Sequence, residues 1–265
     1  YLVMELMKHN LSEIIERVKL DHKTLSYFIY QILCGVNHLH RQGIIHGDLT
    51  PSSIAVNEKC EVKVLDFGEA RLSESASVDK LSLLDYTRLY SAPEVTLELP
   101  QMEKVDVWSL GCIFAELITG NVLFPGDERM RRWNKMVEIM GTPSQRFISQ
   151  LDARLARTMS RIPQTPPKPL SEIIPDHDFH SKPKDEHVHW TADNARSLIS
   201  KMLAIDPDER CSITDALQHS YVSNWYRDEE VNAPLTPIGF NSDMDEGNLK
   251  LSDLKSIIFD ELKLL

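Results

Sequence analysis

Cysteine is scarce and builds no framework. The chain has four, Cys34, Cys60, Cys112 and Cys211, in 265 residues. None stands at C-x-x-C spacing, which argues against a disulfide scaffold or a zinc site and for reduced thiols in the cytoplasm or nucleus. Long apolar runs are missing too: none is long enough to span a bilayer, and no signal peptide is visible. Positive charge is in short supply. Against 40 Asp and Glu stand 29 Lys and Arg, a formal net charge of -11. That speaks against nucleic acid or an anionic membrane as the main partner and suits basic peptides. There is no internal repeat at a fixed period. There is no initiator Met either; Tyr1 opens inside an apolar segment, so the chain is expected to be a piece of a longer protein. What is present is a sequence 42% hydrophobic, enough for a sizeable core in one large domain or two small ones.

One stretch organises the rest. It reads His46-Gly47-Asp48-Leu49-Thr50-Pro51-Ser52-Ser53, then the apolar run Ile54-Ala55-Val56, a turn at Asn57-Glu58-Lys59, the strand-like Glu61-Val62-Lys63-Val64-Leu65, and Asp66-Phe67-Gly68. A short hairpin would hold two carboxylates, Asp48 and Asp66, beside one small volume. That suits a site where one carboxylate meets a substrate hydroxyl and the other a metal on a phosphate. Alone, D-F-G is readily a chance tripeptide. Ala92-Pro93-Glu94 follows it in order, and the set resembles the protein-kinase signature.

Around this stretch the periodicity is mostly helical. Tyr1–Met7 is short, apolar and partly β-branched, and reads as a buried strand. Leu11, Ile14, Ile15 and Val18 repeat at helical spacing. A longer helix is predicted from about Thr24 to Arg41, with Gly43 as its stop. Residues 69–91 show no period and read as a long loop. Val105 to Thr119 is apolar on nearly all faces and should be the central buried helix. Asp106 near its start is costly to bury unless bonded. Further helices are expected at Asp127–Met140, after a Thr191 cap, at Ser212–His219 and over Leu251–Leu262. Residues 144–190 are mixed, and within them Pro163–Pro169 reads either as a polyproline ligand or as an ordered surface loop.

Other stretches sharpen the likeness. Through Tyr1–Met7, Tyr27–Gly35, Asn121–Gly126, Trp133–Lys135 and Ser200–Leu203 the chain resembles a MAP kinase, most nearly the c-Jun N-terminal kinases. The resemblance covers the whole chain and implies a mainly α (α+β) protein-kinase-like fold. Residues 1–10 would be the hinge and last N-lobe strand, and 11–222 the C-terminal lobe. Within it lie a catalytic loop at 46–53, a metal-binding tripeptide at 66–68, an activation segment at 66–94 and an insert at about 141–190. Residues 223–265 would be a C-terminal extension. The Gly-rich loop, strand Lys and helix Glu that position ATP phosphates would belong upstream of Tyr1, so the N-lobe is expected to be absent.

By the same resemblance the cofactors are ATP and Mg²⁺. Glu5, Met7, Asn10, Ala55 and Leu65 would face the nucleotide, Asp48 would be the base, and Asp66 would hold the metal. His46 is a structural residue of the catalytic loop, Asp106 holds that loop's backbone, and Arg210 pairs with Glu94. The family's T-x-Y motif falls at Ser82-Leu83-Leu84, leaving Ser82 and Tyr86, near Arg88, as activation-loop sites. Asp228, Glu229 and Glu230, after Trp225-Tyr226, would form an acidic patch for basic-and-hydrophobic docking motifs of protein partners.

The departures concentrate at the chemistry. Where the family reads H-R-D-L-K-P-x-N, this chain has Gly47, Thr50 and Ser53. Thr50 cannot supply a cation, and the Ser53 hydroxyl would be a weak ligand for a second magnesium. Gly47 cannot pair with a phosphorylated loop residue. An Arg that would hold such a phosphate is Ser91, and an acidic docking position is Arg227. The expectation is a MAP-kinase-like protein serine/threonine kinase domain with impaired catalysis. A pseudokinase docking or scaffold module in stress signalling, and a non-functional fragment, are the alternatives.

Overall fold

A computed structural model describes residues 5–73, 89–100, 102–180 and 188–235, together with Ser252, Lys255, Ser256 and Phe259. The chain divides into two units, Tyr1–Ala233 and Pro234–Leu265. In the second, Ser252, Lys255, Ser256 and Phe259 are helical and exposed. The expected apolar stripe there, Leu251, Leu254, Ile257, Ile258 and Leu262, lies outside the described residues, as do Tyr1–Met4 and the activation-loop candidates Ser82, Tyr86 and Arg88.

The first unit begins with strand β1 (His9–Asn10), which runs straight into helix α1 (Leu11–Arg17). The Asn10 side chain accepts from the Glu13 N–H at 3.0 Å and so caps that helix. Val18 is not part of the stripe: it is the exposed C-cap. Helix α2 (His22–Arg41) starts ahead of Thr24 because Asp21 caps it, accepting from the Thr24 N–H at 2.8 Å. It buries Leu25, Phe28, Ile29, Ile32, Leu33 and Val36 along one face.

Strands β2 (Ile44–Ile45), β3 (Ile54–Val56), β4 (Val62–Val64) and β5 (Arg71–Leu72) make two small sheets. One is antiparallel in the order β1-β3-β4, with Asn10 opposite Ala55 and Ala55 opposite Lys63. The other pairs β2 with β5, Ile45 opposite Arg71. Two expectations are corrected here. Glu5–Met7 form no strand, and Leu6 is 90% exposed. Ion pairs of Glu5 with Lys63 and of Lys8 with Glu58, both exposed, place this approach at the wet edge of the sheet. Residues 69–91 are not loop throughout, since Arg71–Leu72 pair with β2.

The remaining α-helices among the described residues are α3 (Pro93–Thr96), α4 (Lys104–Thr119), α5 (Arg129–Met140), α6 (Gln145–Gln150), α7 (Ala153–Met159), α8 (Leu170–Ile173), α9 (Ala192–Met202), α10 (Ile213–Leu217) and α11 (Asp228–Val231). Helix α4 buries every residue from Val105 to Ile118, as its all-round apolarity predicts. Trp108 on it stacks on Phe124 with ring centroids 5.3 Å apart. Thr191 caps α9, and a Ser212–Asp215 capping box starts α10.

Candidate active site

The site is assembled by one buried acid. Asp106, in the first turn of α4, is fully buried. Its Oδ2 accepts from the His46 N–H and its Oδ1 from the Gly47 N–H, both at 2.9 Å, while His40 Nε2 lies 2.8 Å from Oδ2. Charge-assisted bonds of this kind offset the cost of burying a carboxylate. They pin the backbone immediately before Asp48.

His46 joins this loop to the next. Its Nε2 is 2.9 Å from the Leu65 carbonyl, and its Nδ1 accepts from the Asp48 N–H at 3.3 Å. The two partners together require the neutral tautomer with the proton on Nε2. The ring also lies 5.3 Å from that of Phe67. A further bond, Leu65 N–H to the Ser53 carbonyl at 2.8 Å, laces the two loops side by side. The hairpin β3–β4 thus delivers Asp48, half-buried, and Asp66, exposed and at φ 64, from neighbouring loops.

The substituted positions have closed on themselves. Ser53 is 4% exposed. Its Oγ accepts from the Thr50 N–H and donates to the Thr50 carbonyl, each at 3.0 Å, and Thr50 Oγ1 accepts from the Ser53 N–H at 3.3 Å. Thr50 Oγ1 also sits 2.8 Å from Ser52 Oγ. A hydroxyl has one proton and two lone pairs, so Ser53 keeps a single lone pair beyond this turn. Its expected role as a metal ligand is correspondingly reduced.

Gly47 stands at φ 78, where a side chain is strained. A Cβ there would lie 2.8 Å from Arg71 Nη1 and 3.1 Å from the Glu69 carbonyl oxygen. The guanidinium of β5 therefore fills the space beside the loop that a residue-47 side chain would enter.

Of the expected nucleotide-facing residues, Asn10 and Ala55 are cross-strand partners, and Leu65 begins the Asp66 loop. The Asn10 amide oxygen is engaged in capping α1. Glu5 is exposed and Met7 half-buried ahead of β1.

Two contacts fix the far end of the segment after Asp66. Arg210 holds Glu94 through two bonds, Nη1 to Oε1 at 2.7 Å and Nη2 to Oε2 at 2.9 Å. Both residues are buried, and the guanidinium lies 5.2 Å over the Trp108 ring. The second contact was missed by sequence reasoning. The Tyr90 hydroxyl donates to Glu116 Oε2 at 2.7 Å, and the Ser109 hydroxyl donates to the Tyr90 carbonyl at 2.8 Å. Burial pushes the Glu116 carboxyl up and the Tyr90 hydroxyl up as well. The available signal was Glu116 itself, a second acid, well inside a helix whose other acid, Asp106, lies in its first turn.

The acidic residues Asp228, Glu229 and Glu230 are exposed in the short helix α11. That helix is fastened to α2. Tyr30 donates its hydroxyl to Glu230 Oε2 at 2.8 Å, Asn37 Nδ2 donates to the Val231 carbonyl at 2.9 Å, and Arg41 Nη1 to the same carbonyl at 3.1 Å. Asp228 accepts from Asn232 Nδ2 at 2.7 Å. Burial pushes the neighbouring Cys34 thiol up to about 11.

The sequence over residues 1–222 matches the family model described as the protein kinase domain. The chain belongs to the protein kinase family. Among curated relatives, GLH-binding kinase 1 of Caenorhabditis elegans is 48% identical over 263 residues, covering 99% of this chain and 67% of that protein. The stress-activated protein kinase JNK of Drosophila melanogaster is 42% identical and the protein of that name from Suberites domuncula also 42%, with 69% and 71% of their lengths covered. Within the family this kinase domain is thus a JNK-like MAP kinase. Kinases of the family generally use ATP and Mg²⁺.

Proposed function

We propose that this kinase domain, of MAP-kinase serine/threonine type, is impaired in phosphoryl transfer and keeps a surface for docking protein partners. The observation that carries the impairment is the closed Thr50–Ser53 turn. Phosphoryl transfer rests almost wholly on positioning and electrostatics, and here neither a cation nor a free amide oxygen is offered at those two positions.

Asp48 is the base candidate, with its backbone held through His46 and Asp106, and would accept the proton of a substrate hydroxyl. Asp66 presents an exposed carboxylate, a hard oxygen donor that fits magnesium. Bound there, magnesium supplies charge neutralisation on the phosphates. Ser53 adds at most one lone pair. Asn10, Ala55 and Leu65, with Glu5 and Met7, are the wall proposed for the nucleotide. Asp228, Glu229 and Glu230 are proposed to receive basic-and-hydrophobic peptides, because their helix is firmly anchored and lies outside the altered chemistry. The same observation favours the second reading, a docking or scaffold module that transfers no phosphoryl group at all.

The test is magnesium-dependent transfer from labelled ATP to a protein substrate. The parent should run no more than about tenfold above its Asp48→Asn variant. Thr50→Lys with Ser53→Asn should raise the rate by more than the two single changes combined. A parent rate far above the Asp48→Asn control would refute the impairment, and a rate equal to it in every variant would favour the second reading.

A further inference from the structure

Pro163–Pro169 forms neither helix nor strand. Its sequence dictates an extended backbone. From Ile162 to Pro169 every residue except Gln164 is a proline or precedes one. Prolines fix φ near the polyproline value, and residues before proline are driven out of the helical region. Pro169 itself shows φ -56 and ψ 125.

The protein body holds this segment by its backbone. The Thr142 N–H donates to the Thr165 carbonyl at 2.9 Å, the Thr165 N–H to Thr142 Oγ1 at 2.8 Å, and the Lys168 N–H to the Ile139 carbonyl at 2.9 Å. Gly141, at φ 84, permits the approach: a Cβ there would sit 2.8 Å from Pro167 N. The Thr142 hydroxyl also donates to the Pro163 carbonyl at 3.0 Å, so the body grips the backbone at residues 163, 165 and 168. A polyproline helix has three residues per turn, so the rings of Pro163, Pro166 and Pro169 share one edge, and all three residues are exposed.

We propose that this edge is a docking ligand for a proline-recognising, aromatic-lined groove of the SH3 type, with carboxylates at its rim. Two features select that partner. The segment presents P-x-x-P at 163–166 already tied to Thr142 at both Pro163 and Thr165, so part of the ordering entropy that a free peptide would lose on binding is lost beforehand. It also ends in a cation suited to an acidic rim. Lys168 Nζ is 2.6 Å from Glu138 Oε1 in an exposed pair, which is worth little. Lys135 stays 3.0 Å from the same carboxylate, so Lys168 can turn to a partner without stranding Glu138. This surface is separate from the proposed acidic docking patch and opposite to it in charge.

The experiment passes the full chain over a panel of purified, immobilised SH3 domains and measures retained pairs by calorimetry. At least one domain should bind. Pro163→Ala with Pro166→Ala should weaken that binding by about tenfold or more while the melting temperature stays near the parent's. Lys168→Glu, which leaves the proline backbone intact, should weaken it and flatten its salt dependence, reading the same contact independently. Asp48→Asn should bind like the parent, because docking here is separate from transfer. A synthetic peptide of residues 161–170 should compete but bind more weakly than the folded chain. The proposal is overturned if no domain retains the chain, if the proline double variant binds like the parent, or if the free peptide binds more tightly.

Discussion

Gly47 shows how much a single residue can conceal. Read as letters, it is an arginine lost, and the obvious repair is to put the arginine back. In space, any side chain at φ 78 is strained and must displace the Arg71 guanidinium and crowd the Glu69 carbonyl. Arg71 can swing aside; a backbone carbonyl cannot. Gly47→Arg should therefore lower stability by about 1–2 kcal/mol and leave transfer no faster, as thermal melts and the ATP assay would show. A faster, equally stable variant would mean that the loop relaxes freely. Ser53 makes the same point. Ser53→Ala would leave the Thr50 N–H without its side-chain acceptor and should cost about 1 kcal/mol, although the sequence suggests only a weak metal ligand. These refits were invisible beforehand because they are bonds between side chains and specific backbone atoms, and no periodicity encodes them.

At the level of elements, the large features were legible. The one-face apolar periods of α2 and α9, the all-round apolarity of α4 and the Asp48–Asp66 hairpin appear where the sequence puts them, because burial of a helix on one face or on all of them leaves a long trace. Strands of two residues leave none, so the β2–β5 pair was missed and Glu5–Met7 was misread as strand. The Glu94–Arg210 link was visible only through the family resemblance. It joins α3 to the turn before α10 with both charges buried. Removing one partner leaves the other uncompensated, so Arg210→Ala should cost about 3–5 kcal/mol in urea unfolding. Glu94→Leu with Arg210→Met should cost less than the sum of the single changes. Strict additivity would mean that the pair is not coupled.

Across the whole molecule, two buried histidines add to the loss of stability in mild acid. His22 has Nδ1 3.0 Å from the Tyr221 hydroxyl and stacks on Phe179 at 4.8 Å. Burial lowers it from 6.5, with Asp21 partly opposing, and burial followed by Lys201 lowers His219 from the same value. When a folded-state value is depressed, the unfolded chain takes up protons first as pH falls. Stability from these groups is full above 6.5 and is lost as pH drops through the window beneath it. Glu116, raised by burial, acts in the opposite sense above 4.5. The comparison must therefore be with variants: His22→Gln with His219→Gln should lose less melting temperature between about pH 7.5 and pH 5.5 than the parent. Equal losses would rule the histidines out. For docking, Asp228→Lys with Glu229→Lys is a cleaner probe than any change at Glu230, which also receives the Tyr30 hydroxyl. The pair should weaken binding of a Lys/Arg-rich, Leu-spaced peptide, as should raised salt, because exposed charges are screened over ~8 Å at physiological ionic strength.

The fastening of α11 also has a consequence in time. Tyr30 and Glu230 are 200 residues apart in sequence, Asn37 and Val231 194, and Arg41 and Val231 190. A ribosome releases the α2 anchors long before it makes what they hold. At translation rates of ~5–20 residues per second, those anchors wait on the order of ten seconds or more for their counterparts. The acidic patch is thus among the last surfaces of the first unit to exist. A partner that docked on the proposed patch would meet only chains whose intervening helices have already been synthesised.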